Sequence, residues 1–275
     1  IIWSAVGFSI LVLVLTLMIF IAYRNKKRAN NILQQKNKII YNQKSQIEQK
    51  NILITDSIDY AKNIQEAILQ PQEALQKFFP ESFILFKPKD IVSGDFYWFT
   101  SLQNGIGIAS ADCTGHGVPG AFMSLLSFTI LDEIAKKSSN NSTADILNEI
   151  NLKMIKVMHQ NQQNVSGKFG MDIALTIFNK SMNEIYYSGA HNSLILVRNG
   201  LLQEVKADKV SIGSNPNASF SNNTIPIQSN DMIYLFSDGY YDQKGGEKKK
   251  KFLSFSFKEL LISINSLSME QQKEE

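Results

Sequence analysis

The chain has 275 residues, 44% of them hydrophobic, which is enough for one sizeable core with appendages. Its formal net charge of +3 is too small and too unevenly spread to imply a nucleic-acid partner. The one cysteine, Cys113, excludes an internal disulfide framework and fits a reducing compartment.

Residues 1–23, IIWSAVGFSILVLVLTLMIFIAY, carry no charge. A helix of that length spans roughly 34 Å, against about 30 Å for a hydrocarbon core. Trp3 and Tyr23 stand near its ends, where amphipathic rings favour the interface, and Arg24, Lys26, Lys27 and Arg28 follow at once. The segment is predicted to be a transmembrane helix, with everything after Tyr23 in the cytoplasm. It is too long for a signal-peptide core, and no small-residue cleavage site follows. No initiator methionine precedes it, so the chain reads as starting within a longer protein.

Residues 24–70 read as a coiled-coil and linker helix. Asn and Gln crowd residues 30–50, a composition that by itself suggests disorder. Against that, Leu33, Ile40, Ile47, Ile54, Ala61 and Ile68 recur at intervals of seven. With those as d positions, the a positions are Asn37, Lys44, Asn51, Ile58 and Gln65. An apolar d seam with polar a positions predicts a weak, two-stranded coiled coil, hence a homodimer, and Pro71 ends the helix.

Residues 71–275 are predicted to form one further domain. Short strands begin near Phe83 with FILFK, DFYWFT and GIGIASAD. Two helices follow, Val118–Lys137 and Thr143–His159. Strands then return in MDIALTIF, EIYYSGA, SLILVR, TIPIQ and DMIYLFSD. Asn104-Gly105 and Asn199-Gly200 look like hairpin turns. Tight turns between strands, with the helices inserted as one block, predict an α+β fold of two packed antiparallel sheets with helices outside.

Three carboxylates stand where an apolar strand stops: Asp95 in VSGDFYW, Asp112 in ADCTGHGVPGAF and Asp238 in YLFSDGYYDQ, each with glycine close by. Hard cations such as Mg²⁺ and Mn²⁺ favour carboxylates, carbonyls and water, and glycine lets backbone turn sharply and approach closely. A lone acid of this kind is more often a turn residue or a helix cap. Three in the same situation point to a metal site.

The motifs VSGDFYW, ADCTGHGVPGAFMS, GMDIALTIF, YSGAHNSLILVRNG and YLFSDGYYDQ occur in order over roughly residues 55–260. They resemble the SpoIIE-like branch of the PPM metal-dependent serine/threonine phosphatases. That resemblance implies an αββα sandwich holding two Mn²⁺ or Mg²⁺ ions, between which water is activated for in-line attack on phosphorus. Asp112 would bridge both ions, the Cys113 backbone carbonyl and Asp238 would each bind one, and Asp95 would hold an ion directly or through its waters. The substrate implied is a phosphoserine or phosphothreonine on a regulatory protein, often of the STAS anti-anti-sigma type. The location implied is the bacterial inner membrane.

Three departures qualify the resemblance. The chain stops at SLSMEQQKEE, before the family's closing strand and its metal-binding aspartate, so as it stands it is expected to be poorly active. His116 lies four residues past Asp112, two more than the general-acid histidine of the better-known PPM branch, so that role is doubtful. KGGEKKKKF (244–252) reads as a solvated turn before a phosphate-steering loop. Asp172 in GMDIAL fits a ligand of a third metal ion, or at least as well a hydrogen-bonded strand acid. Two rivals are a phosphatase-like interaction module without catalysis, which should have lost the metal acids, and a nucleotidyl cyclase, which needs a base-recognition pocket not found here.

Overall fold

In the computed structural model, residues 2–137, 142–159, 169–245 and 250–275 are described. The middle of the basic loop, 246–249, lies outside them. The chain divides into two compact units, Ile1–Ser57 and Ile58–Glu275. Helix α1 (Ile2–Ile68) is continuous over 67 residues. In the first unit its apolar side chains from Phe8 to Ile21 are exposed along its length. Among the described residues two helices are long and apolar enough to cross a membrane. One is the N-terminal part of α1, none of whose apolar window is buried. The other is α3 (Gly117–Lys137), half buried as a core helix.

The second unit is layered. After the short helix α2 (Gln72–Gln76) come strands β1 (Asp95–Leu102) and β2 (Gly105–Cys113), then α3 and α4 (Thr143–His159). Strands β3 (Met171–Asn179), β4 (Glu184–Ala190), β5 (Leu194–Arg198), β6 (Leu201–Val205), β7 (Asn223–Pro226) and β8 (Met232–Tyr234) follow. One antiparallel sheet has the order β1-β2-β3-β4-β7 and a second the order β6-β5-β8. A two-stranded ribbon, β9 (Lys244–Gly245) with β10 (Lys250–Lys251), precedes α5 (Leu253–Ile264) and α6 (Met269–Glu274).

Three cores match the layers. Ile130, Leu131 and Ile134 of α3 and Ile146, Leu147 and Ile150 of α4 pack on Trp98, Ile173 and Leu175 of the large sheet. Between the sheets lie Phe178, Ile185, Tyr187, Leu194 and Leu196. Ile195 and Val197 pack on Phe257, Leu261 and Ile264 of α5. Side chains alternate faces along a strand, so β5 feeds both of the latter cores. The result is the predicted αββα sandwich.

Local details differ from expectation at two places. FILFK forms no strand. Glutamines of α2 hold its start instead, Ile84 N donating to Gln72 Oε1 at 3.2 Å and Gln76 Nε2 donating to the carbonyl of Ser82, just before the segment, at 3.2 Å. DMIYLFSD keeps ladder pairing only over Met232–Tyr234, which frees Ser237 and Asp238 to leave the sheet. Asn199 and Gly200, at φ +51° and +75°, make the expected hairpin turn with both central residues left-handed.

Candidate metal centre

Register places the acids. Asp95 of β1 pairs with Asp112 of β2, and Asp112 pairs with Asp172 of β3. Directly opposed residues of antiparallel strands share a face, so three carboxylates form one row across neighbouring strands at one end of the sheet. Their neighbours Phe96, Ala111, Cys113, Met171 and Ile173 belong to the core under α3 and α4. The acids therefore alternate onto the other face, toward the second sheet. From the segment that leaves that sheet after β8, Ser237 Oγ donates to Asp95 Oδ2 at 2.8 Å and brings the adjoining Asp238 to the row.

The electrostatics record this gathering. The Asp112 carboxyl is pushed up to about 8, first by burial, then by the Asp95 charge, a hydrogen bond shared with Asp95, and the charges of Asp238 and Asp172. Asp238 is raised too, by burial first and then by Asp242 and Asp95, with a hydrogen bond from Asp112 acting against them. Asp172 Oδ1 is buried without a hydrogen-bond partner.

The loop after β2 is shaped by glycines. Gly115 (φ +103°) and Gly117 (φ +62°) take conformations that side chains rarely adopt. A Cβ added to Gly94 would stand 2.6 Å from the Gly115 carbonyl oxygen and 2.9 Å from that of Cys113. One added to Gly120 would stand 2.5 Å from the same Gly115 oxygen. The start of α3 and the residue before Asp95 thus close on the turn that carries the Cys113 carbonyl. The Cys113 thiol is buried against Ser127 Oγ and pushed up to about 12 by that burial, which leaves it inert.

His116 reaches the rim of an open cleft of about 350 Å³, also lined by Asp112, Cys113, Thr114, Gly115, Asp172 and Ser211. It stays 81% exposed, and its Nδ1 is hydrogen-bonded to Asp90 Oδ2 at 3.1 Å. So the structure brings Asp95, Asp112, Asp172 and Asp238 together and leaves His116 at the edge, engaged elsewhere.

Two residues escaped the sequence reading. Ser237 was adjacent to a candidate acid and could have been found. Gln65 was placed in the coiled-coil seam, but it is only 5% exposed. Its Nε2 donates to Ser93 O (2.7 Å) and Ser124 Oγ (2.8 Å), and its Oε1 accepts from Ser93 N (3.0 Å). Ser93 Oγ in turn accepts from Asp95 N at 3.0 Å. The end of α1 is thereby tied to the first residue of the acid row.

The donor set is all oxygen, which suits a hard divalent cation. Among the described residues no three acid, histidine or cysteine side chains yet stand at the spacing of a metal shell. Four gathered carboxylates repel one another, and a raised Asp112 with an orphaned Asp172 oxygen is the state that a divalent cation would relieve. The residues present fit such an ion.

Residues 103–274 match the family model described as Stage II sporulation protein E (SpoIIE). Phosphoserine phosphatase RsbU of Bacillus subtilis (strain 168) is 23% identical over 190 residues, 68% of this chain and 53% of that protein. The chain therefore spans about half the length of this curated relative. The SiaA-PP2C domain of Pseudomonas aeruginosa is 33% identical, with a TM-score of 0.71 over 82% of this chain and 87% of that one. The RsbU and RsbW domains of a Mycobacterium tuberculosis protein, 20% identical, share the fold at a TM-score of 0.50 over 66% of this chain and 49% of that one.

Proposed function

Because the chain belongs to the stage II sporulation protein E family, the SpoIIE-like branch of the PPM phosphatases, we propose that it is a metal-dependent protein serine/threonine phosphatase. The observation that carries this reading is the row Asp95–Asp112–Asp172, met by Asp238 from the segment after β8, with the Asp112 and Asp238 carboxyls raised by burial and by neighbouring carboxylates.

In this reading Asp112, Asp238, Asp95 and the Cys113 backbone carbonyl would hold the divalent ions, Mn²⁺ or Mg²⁺, with Asp112 shared between two of them. Bound metal would supply Lewis acidity toward the phosphoryl oxygens and a water acidic enough to attack at neutral pH. Ser237 fixes the Asp95 carboxylate by donating to Oδ2. The Gly94–Gly115–Gly120 contacts hold the carbonyl turn in place, and the open cleft admits a phosphorylated side chain from a partner protein. His116 is exposed and bonded to Asp90, so this reading gives it no main role in proton transfer.

The substrate is a phosphoserine or phosphothreonine on a regulatory protein, of which a STAS-type regulator is the first to test. Residues 1–23 anchor the protein in the bacterial inner membrane, with Arg24–Arg28 fixing the catalytic domain on the cytoplasmic side. The isoleucine seam of α1 pairs two copies.

The full-length natural protein, purified in detergent micelles, should hydrolyse p-nitrophenyl phosphate only with Mn²⁺ or Mg²⁺. Asp112→Asn and Asp238→Asn should each abolish that turnover with far-UV circular dichroism unchanged, while His116→Ala should cost little. Turnover in EDTA, or wild-type rates in either aspartate variant, would overturn the assignment.

A further inference from the structure

The loop that joins β6 to β7, residues 206–222, brings Ser211 to the wall of the cleft, beside Asp112 and Asp172. Its neighbour Ile212 bridges to Met171 in antiparallel fashion, Ile212 N donating to Met171 O at 2.9 Å and Met171 N to Ile212 O at 3.1 Å. Both of those side chains are buried in the core under α3 and α4. Residues next to such a pair take the opposite face, and Asp172 and Ser211 do so, since both line the cleft. A Cβ added to Gly170 would stand 3.3 Å from Ser211 Cβ and 3.3 Å from Thr114 Oγ1. The serine therefore stands close to the turn that carries the Cys113 carbonyl.

The loop is held from behind. Asn151 of α4, only 1% exposed, accepts from Gly213 N through Oδ1 at 2.7 Å and donates from Nδ2 to Asn215 O at 2.9 Å. Gly213 turns the chain there at φ +84°. Ser214 folds back, its N (3.3 Å) and Oγ (2.6 Å) both donating to Ser211 O. The half-buried Ser211 hydroxyl, by contrast, takes part in no hydrogen bond among the described residues. It does not serve its neighbour either, because Asp172 Oδ1 has no partner.

The other side chains of the cleft wall are committed or wrongly charged for an anion. Thr114 Oγ1 donates to Gly170 O at 2.9 Å, the Cys113 thiol is turned to Ser127, and His116 Nδ1 is bonded to Asp90. Asp112 and Asp172 offer only acceptors when ionised. A phosphoryl group drawn here by a cation still presents oxygens beside those carboxylates, and such an oxygen calls for a donor.

We infer that Ser211 is a substrate-binding residue whose hydroxyl donates to a phosphoryl oxygen of the phosphoserine or phosphothreonine in the cleft. A hydroxyl suits the place, since it brings no charge to compete for the cation and its proton rotates to follow the acceptor. Asn151 fixes the loop in advance, so little freedom is lost when the phosphate arrives. The inference rests on the phosphatase reading and adds to it the side chain that grips the phosphate.

The test uses Ser211→Ala, which removes the hydroxyl, and Ser211→Thr, which keeps it, in the full-length natural protein. In EDTA the alanine variant should melt within a few degrees of the unaltered protein, since the hydroxyl makes no bond that is lost. With Mn²⁺, its kcat/KM for p-nitrophenyl phosphate should fall about 10- to 100-fold, the loss expected for one hydrogen bond to a charged group. Inhibition by inorganic phosphate should weaken by a similar factor, while Mn²⁺ affinity measured by calorimetry without phosphate stays the same. The threonine variant should retain most of the turnover. Unchanged kcat/KM or unchanged phosphate inhibition in Ser211→Ala would overturn the inference while the phosphatase reading stands. So would a threonine variant as impaired as the alanine one. Weaker Mn²⁺ binding in Ser211→Ala would assign the hydroxyl to the metal, and a large drop in melting temperature would assign it to the framework; either result overturns the inference. No Mn²⁺-dependent turnover in the unaltered protein would remove the phosphatase reading and the inference together.

Discussion

Replacing Asp112 with Asn should stabilise the metal-free protein while destroying its activity. Asp112 is raised from 3.8 to about 8 by burial and by three neighbouring carboxylates. At pH 7 the unfolded chain has released this proton and the folded chain keeps it, so folding works against roughly three pH units, or about 4 kcal/mol. Solvent reaching the open cleft screens part of this, and about 2 kcal/mol is a fairer expectation. An asparagine carries no charge and escapes the penalty. For a unit of this size, about 2 kcal/mol corresponds to a melting temperature higher by about 4–8 °C. The assay is thermal unfolding in EDTA at pH 7, followed by circular dichroism, with Mn²⁺ added in a parallel series. Mn²⁺ should raise the melting point of the wild type well above its effect on Asp112→Asn, because the cation does in one protein what the amide does in the other. An unchanged or lower melting point for Asp112→Asn in EDTA would refute the convergence of these acids.

Stability of the metal-free protein should fall as pH rises from about 4 to about 8, because the folded state holds a proton on Asp112 that the unfolded state gives up across that window. Mn²⁺ should flatten the slope, and a melting temperature that rises between pH 5 and pH 8 in EDTA would contradict this. Gln65→Leu should lower the melting temperature through an orphaned Ser93 N–H, worth about 1–3 kcal/mol, and should also weaken Mn²⁺ binding by calorimetry, since Ser93 supports Asp95. Equal Mn²⁺ affinity in that variant would confine Gln65 to stability alone. Replacing Asn37 and Asn51 together with Ile should tighten self-association in sedimentation of the micellar protein, because polar a positions weaken a two-stranded seam; no change would remove those residues from the interface.

Asp112 and Asp238 were legible because each closes an apolar run, whereas Asp95 opens β1 instead of ending a strand and joins the row through its pairing with Asp112. The glycines after Asp112 were legible as a sharp turn, but not as mutual contacts, since the closure of Gly94 and Gly120 on the Gly115 carbonyl joins residues 26 positions apart. FILFK misled because β-propensity measures fit to a pleated surface and says nothing of whether a partner strand exists. Gln65 misled in the opposite sense. A seven-residue repeat assigns it to a seam, and only the packed domain shows that its helix end turns that side chain onto Ser93 and Ser124.

The contacts of Gly94 and Gly120 with one carbonyl oxygen also constrain how this sequence can drift. A side chain at either position displaces the same Gly115 oxygen, so a first substitution leaves no room that a second could exploit. Codon changes that would be independent elsewhere are locked together here, and no single-step route leads away from glycine at either end. His116, three-quarters or more of it in solvent, sits on the same turn under no such restriction. Diversification among descendants of this chain should therefore collect at position 116 and its exposed surroundings, around a turn that lineages inherit unchanged.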